Sequence, residues 1–252
     1  MDRSVFYNSI RPMFGGALEQ PQVDGINALL ASCARNRVAD PHHVSNILSN
    51  VKRETGGYMS PIKETVYATH KNKKPSDATV KRRLEAAWRA GKLYWVKTPY
   101  WRDGAFGRGM IQITHWINYV KLGDRLGLPL RANPDLALKI DVSADIAVVG
   151  MSEGLFTGKK LSDYRFPDDL VAKPSEHPRR IVNGEDGTDN EISHYHRSFY
   201  AALKAAGYGT RSESPAPNQQ PAKAPQKPID APKVGWLAAL LNILASFLKG
   251  RK

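Results

Sequence analysis

The stretch DPHHVSNILSNVKRETGGYMSPIKE, residues 40–64, decides how this chain is read. Asp40 is a helix-capping residue, and Pro41 suits the first helical position, where no amide hydrogen is needed. Val44, Ile47, Leu48 and Val51 recur at helical spacing and mark one buried stripe. Three residues on, the stripe meets Glu54, just before Gly56-Gly57 ends the helix. A carboxylate is costly to bury alone. A carboxyl group that holds its proton near neutral pH is, however, what a general acid requires. Glu64 follows ten residues later, past Pro61. The two glutamates are the candidate chemical pair. Read by itself, Glu54 is better taken as a helix-end residue that turns to solvent or pairs with Lys52 or Arg53.

Composition sets the frame. The chain has 252 residues, 41% of them hydrophobic, enough for one sizeable core and an appendage. Its net charge of +13 favours anionic partners: nucleic acid, an anionic membrane or an anionic cell-wall polymer. Cys33 is the single cysteine and lies on the apolar stripe Ile26, Leu29, Leu30, Cys33. It is expected in the core, and no disulfide framework can form within one chain. The N-terminal MDRSVFYNSIRPMF lacks a basic stretch followed by an apolar run, so no cleavable signal peptide is expected. No run reaches the length of a membrane span.

Outward from residues 40–64, amphipathic helices are expected at 3–14 and 19–36, with Gly15-Gly16 between them. Ser76 can cap a helix that carries Val80, Leu84, Ala87 and Trp88 and stops at Gly91. Further helices are expected at 115–126, 143–156 and 189–206, and residues 157–187 read as loop. From Arg211 the composition turns to Pro, Ala, Gln and Lys, which predicts an extended linker over 211–234. Residues 235–252 hold a broad apolar stripe and a basic end, too short for a span and suited to a membrane interface or to docking on the main domain. The chain thus divides into a domain at 1–210, a linker at 211–234 and a terminal amphipathic helix at 235–252.

Two more segments bear on the glutamates. In GRGMIQITHWINY, residues 107–119, the run 110–114 reads as extended, so Gln112 and Thr114 share one face and Ile111 and Ile113 the other. An amide and a hydroxyl on one face suit a sugar hydroxyl or a water, or simply the outer face of an edge strand. In RRIVNGEDGTDNEI, residues 179–192, Arg179, Arg180 and Asn183 precede the last helix.

The segments RETGGYMSPIKE, GRGMIQITHWINY, NPDL, GLFTGKKLSDY and RRIVNGEDGTDNEI, in this order and spacing, resemble glycoside hydrolase family 19 over residues 5–205. More narrowly, they resemble its compact chitinase-like lysozymes of the phage endolysin type. The resemblance implies a mainly α, lysozyme-like, two-lobed helical domain with a small β element. It implies Glu54 as general acid, Glu64 as general base and Thr114 as holder of the attacking water. Gln112, Asn118 and Asn183 match polar residues lining the sugar cleft, and Arg180 is placed with them as a substrate contact. Tyr100 and Trp101 are candidates to stack on sugar rings, with core packing the other reading. Two features depart from the family. Arg53 stands where histidine is usual, and the gap from Glu54 to Glu64 is short, which leaves Asp103 as an alternative base. No metal or other cofactor is implied. The histidine pairs His42-His43 and His194/His196 do not put two ligands on one helical face.

In the inverting mechanism so implied, Glu54 protonates the glycosidic oxygen while Glu64 deprotonates a water on the opposite face. The carboxyl groups then stand roughly 6.5–9.5 Å apart. Peptidoglycan and chitin share N-acetylated β-1,4-linked sugars. The positive charge, the basic terminal helix and the missing leader favour peptidoglycan, hence a monomeric endolysin or muramidase that causes host lysis. Such a protein is made in the bacterial cytoplasm, is released through a holin and acts at the periplasmic wall, with its tail on an anionic membrane. The other readings are a chitinase and a non-catalytic glycan-binding virion or envelope protein. Nucleic acid is not expected as a partner, because the basic residues match no recognition motif.

Overall fold

The computed structural model describes residues 1–66 and 70–209. The expected linker at 211–234 and terminal helix at 235–252 lie outside the described residues.

The fold is mainly helical with one very small antiparallel sheet. Helix α1 spans Arg3–Ile10 and runs into a one-turn 3-10 helix, Arg11–Phe14, where Pro12 interrupts the α-helical bonding. Helix α2 spans Gln20–Arg35 and α3 spans Pro41–Glu54. Asp40 caps α3 as its sequence position predicts, its carboxylate accepting from the His42 amide at 2.8 Å. Helix α4, Asp77–Arg89, is capped by Ser76. Helices α5, α6 and α7 span Trp116–Leu126, Ile140–Glu153 and Asp189–Ala205. Strand β1, Ile62–Lys63, pairs with β2, Arg108–Gly109, so that Ile62 faces Gly109 and Lys63 faces Arg108.

Helix α3 is the axis of the larger lobe. It packs along α7, while α2 packs on α6 and α1 on α7. Every residue from Val44 to Glu54 is buried, so the apolar stripe read from the sequence is only part of a helix enclosed on all sides. Its two basic residues are engaged within that enclosure. Lys52 lies over the rings of Phe14 and Tyr195, and Arg53 pairs with Glu191 of α7 at 3.0 Å. Cys33 belongs to this core, as expected, and burial pushes its thiol up to about 12. Gly25 of α2 marks the closest approach, since a Cβ there would meet the Met59 carbonyl oxygen at 1.8 Å.

A second, smaller core is built by Val80 and Leu84 of α4 with Leu93, Val96, Tyr100, Trp101 and Phe106. The two lobes are joined at the sheet by an ion-pair cluster. Arg108, 1% exposed, reaches Asp77 of α4 at 3.0 Å and Asp135 of the larger lobe at 2.7 Å, and Lys63 bonds the same two aspartates. The guanidinium also donates to the carbonyls of Gly104 and Phe106. Its donors are therefore matched, as a buried charge requires.

The α3–α7 contact contains a stack of rings with a pH consequence. His42 lies flat on Tyr200 at 3.8 Å between centroids, and its Nδ1 is 3.2 Å from Nε2 of His196. Burial, reinforced by His42, His177 and Arg197 and opposed by Asp168, lowers His196 to about 3. Burial and Arg179 lower His177 to about 4. A histidine kept neutral by folding contributes stability that is complete above its unfolded value and fades as pH falls toward the folded one. Melting temperature should therefore be level above about pH 6.5 and fall steadily from there toward pH 4. His196→Phe should flatten that fall, as followed by circular dichroism. An unchanged slope in the variant would remove His196 as the cause.

Candidate active site

Glu54 is the last residue of α3, where the chain turns away through Gly56 and Gly57 in the left-handed region, at φ of +58° and +85°. This places a carboxyl group at the open end of a buried helix. It is 1% exposed. Its Oε1 accepts from Nη2 of Arg179 at 2.6 Å, whereas its Oε2 is buried with no hydrogen-bond partner. The alternative partners Lys52 and Arg53 are engaged elsewhere, as described above.

Arg179 is fully buried and is divided among three acceptors. Nη1 donates to Oδ1 of Asn50 at 2.8 Å, and Nε and Nη2 both reach Oδ2 of Asp186, at 3.0 and 2.8 Å. Burial alone would raise the Asp186 carboxyl. The charge and hydrogen bonds of Arg179, with those from Thr188, outweigh it and hold Asp186 below its ordinary value. Asp186 also accepts from the Asn183 amide at 3.0 Å. Sequence reasoning passed over Asp186 and Asn50. The run Arg179, Arg180, Asn183 gave no sign of which arginine faces inward.

Glu54 shares a small cleft, about 20 Å³ in volume, with Ile111, Gln112, Ile113, Thr114, Asn118, Phe156, Val182 and Asn183. Thr114, Asn118, Gln112 and Asn183 thus come together with Glu54, from segments far apart in the chain. Two of them repeat the condition of Glu54: Oγ1 of Thr114 and Oδ1 of Asn118 are buried with no partner. Three orphaned polar atoms on one cleft are unusual in a folded protein, where buried polar atoms are almost always bonded. Among the described residues, no group of three or more His, Cys, Asp and Glu is arranged to hold a metal ion.

The route to this cleft differs from the expected one. Residues 110–114 do not form an extended run. The chain reverses after β2, so that Ile113 bridges back to Arg108, and Gln112 sits at φ +52°. The alternation expected of a strand is lost, and Ile111 and Ile113 line the same cleft as Gln112 and Thr114. The Gln112 amide is committed to the carbonyls of Ile62 and Gly109, at 2.9 and 2.7 Å, and so braces the hairpin.

Glu64 lies just after β1 and is 4% exposed. It does not line the cleft. Its Oε1 accepts from the Tyr100 hydroxyl at 2.6 Å and its Oε2 from the Gly107 amide at 2.7 Å. Burial pushes its carboxyl above the ordinary range, against these two bonds and the charge of Arg108. A Cβ on Gly107 would stand 2.9 Å from Oε1 of Gln112 and 3.4 Å from Oε2 of Glu64. A larger residue there would displace the end of the Gln112 side chain. Asp103, the alternative base, is exposed and caps the Ala105 amide at 3.2 Å, away from the cleft lining.

Three expected substrate contacts are corrected. Trp101 is fully buried in the small core with Nε1 bonded to Glu85 at 3.1 Å, so it has no face to offer a sugar. Tyr100 is likewise a core residue, committed to Glu64. Arg180 points outward to pair with Glu185, and the inward arginine is its neighbour Arg179. In the one-turn helix Pro178–Ile181, consecutive side chains diverge, so only one of the two can face the cleft.

No protein-family model and no curated protein sequence matches the chain. Among solved structures, chitinase C from Streptomyces griseus HUT6037 is similar over 79% of this chain and 75% of its own, at 20% identity and a TM-score of 0.47.

Proposed function

We propose that the cleft is the active site of a glycoside hydrolase acting on bacterial cell-wall glycan, a muramidase of the endolysin kind. The observation that carries this reading is the convergence of Glu54 Oε2, Thr114 Oγ1 and Asn118 Oδ1, all buried and unpartnered, on one cleft. A polar ligand and a water would satisfy them. The sequence resemblance set out above supports the same assignment.

In this reading Glu54 is the general acid. Arg179 bonds Glu54 once and Asp186 twice. With Asp186 ionised, the guanidinium charge is already matched. Oε2 of Glu54, which has no partner, is the oxygen that would deliver a proton to the glycosidic bond. Glu64 is the base. Its raised pKa makes it a stronger proton acceptor once ionised. Because Glu64 is buried and does not line the cleft, the small lobe must shift before a water held by Thr114 reaches it. Departure of the leaving group and attack of water from the opposite face invert the anomeric centre.

The direct test is mass spectrometry of soluble products from purified Gram-negative sacculi, with chitin oligomers in parallel. Muropeptides ending in reducing N-acetylmuramic acid are the expected result. Products from chitin alone would make the protein a chitinase, and none from either would leave a glycan-binding protein.

Residues 235–252 are proposed to bring the enzyme to an anionic membrane, and a holin to give it passage to the wall. Truncation after Tyr208 should preserve release from sacculi and lose binding to phosphatidylglycerol vesicles. Equal vesicle binding by both forms would remove the membrane role.

A further inference from the structure

The net charge of the described residues is concentrated in one lobe. Residues 70–106, which span the small core, hold ten Lys and Arg against three Asp and Glu, a net charge of +7. The remaining described residues, 1–66 and 107–209, sum to +1. Two of the three acidic groups of the basic stretch are also spoken for. Asp77 bonds Lys63 and Arg108, and Glu85 bonds Arg89 and Arg102. Lys71, Arg82 and Lys97 are solvent-exposed around the lobe. Three residues before Lys97 in the chain, Tyr94 is 82% exposed and meets Trp95 edge to face at 4.8 Å. An aromatic ring held out in water among cations fits a polymer that offers both apolar ring faces and negative charge.

This lobe is also the wall that carries Glu64. Tyr100 bonds Glu64, Arg83 donates to the carbonyl of Thr65 at 3.2 Å, and the Lys63 amide donates to the carbonyl of Lys73 at 3.0 Å.

We infer that the small lobe is a docking face for a carboxylate-bearing glycan, gripping the acidic peptide stems of the polymer whose sugar strand enters the cleft. The inference rests on the proposed reading of that cleft, and it deepens it. A glycan with free carboxylates complements this face, whereas uncharged chitin offers it no anion.

The test measures binding of the full-length chain, carrying Glu54→Gln so that no turnover intervenes, to purified sacculi at rising salt. Lys71→Gln/Arg82→Gln/Lys97→Gln should weaken binding about tenfold at low salt and flatten its salt dependence. Lys139→Gln/Lys159→Gln/Lys173→Gln removes as much charge from exposed positions of the larger lobe and should change binding less than about twofold. Amidation of the sacculus carboxylates should erase the difference between the two triple variants. Equal losses in both, no loss in the first, or no binding by the parent would each overturn the inference. So would a first triple variant that binds sacculi normally but no longer binds phosphatidylglycerol vesicles, which would assign the face to a membrane. Because binding is read on an inactive chain, failure of wild type to hydrolyse sacculi would reject the proposed function without deciding this one.

Discussion

Arg179→Met is expected to destabilise the fold by about 3–5 kcal/mol, the range for removing one partner of a buried ion pair. That corresponds to a fall in melting temperature on the order of 10 °C for a domain of this size. The reason is local. Arg179, Glu54 and Asp186 have side chains 0–1% exposed, and the methionine variant leaves two carboxyl groups and the Asn50 amide oxygen without their donor. Adding Asp186→Asn to the variant should recover part of the loss, because one of the stranded charges is removed. Arg180→Met, one residue along, should cost less than about 1 kcal/mol, since its pair with Glu185 is largely solvated. Thermal unfolding of the four proteins decides the point. Similar small shifts for Arg179→Met and Arg180→Met would show that the buried trio is not what holds this end of α3 against the 178–186 segment.

Glu54→Gln carries the largest expected effect on activity. The amide is the same size and can keep its oxygen toward Arg179, so melting temperature should move by no more than a few degrees. It cannot donate a proton to a glycosidic oxygen, and turnover on sacculi should fall by about 10²–10⁴-fold, the usual contribution of a positioned general acid. Thr114→Val should lower turnover less, because it removes only a hydroxyl with no partner in the resting protein. Sacculus hydrolysis by Glu54→Gln within threefold of wild type would take Glu54 out of the chemistry and leave the cleft as a binding groove.

Much of the local structure was legible along the chain, because its determinants are local. The Asp40-Pro41 start of α3, the Ser76 cap of α4 and the glycines after Glu54 depend on residues a few positions apart. The helical stripe through Val44, Ile47, Leu48 and Val51 ran up to Glu54 for the same reason, but left open whether its carboxylate turned inward. The resemblance of separated motifs gathered Gln112, Thr114, Asn118 and Asn183 with Glu54, and the fold brings all five to one cleft. The hairpin at 107–114 escaped a reading by alternation, since its turn is stabilised by bonds from Gln112 to Ile62, some fifty residues away.

A mainly helical chain, a carboxylate at the end of an apolar helical stripe and an excess of positive charge can be read from the residues in order. What that carboxylate meets follows from the packing of distant segments. That packing chose Arg179 over Arg180, brought in Asp186 and Asn50, and sank Trp101 and Tyr100 into a second core. It also set the positive charge on the lobe that carries Glu64. Helix caps and apolar periodicity are written in neighbouring residues. The partner of a buried charge is fixed by which distant side chain reaches it first, and that depends on how α3, α7 and the 178–186 segment pack.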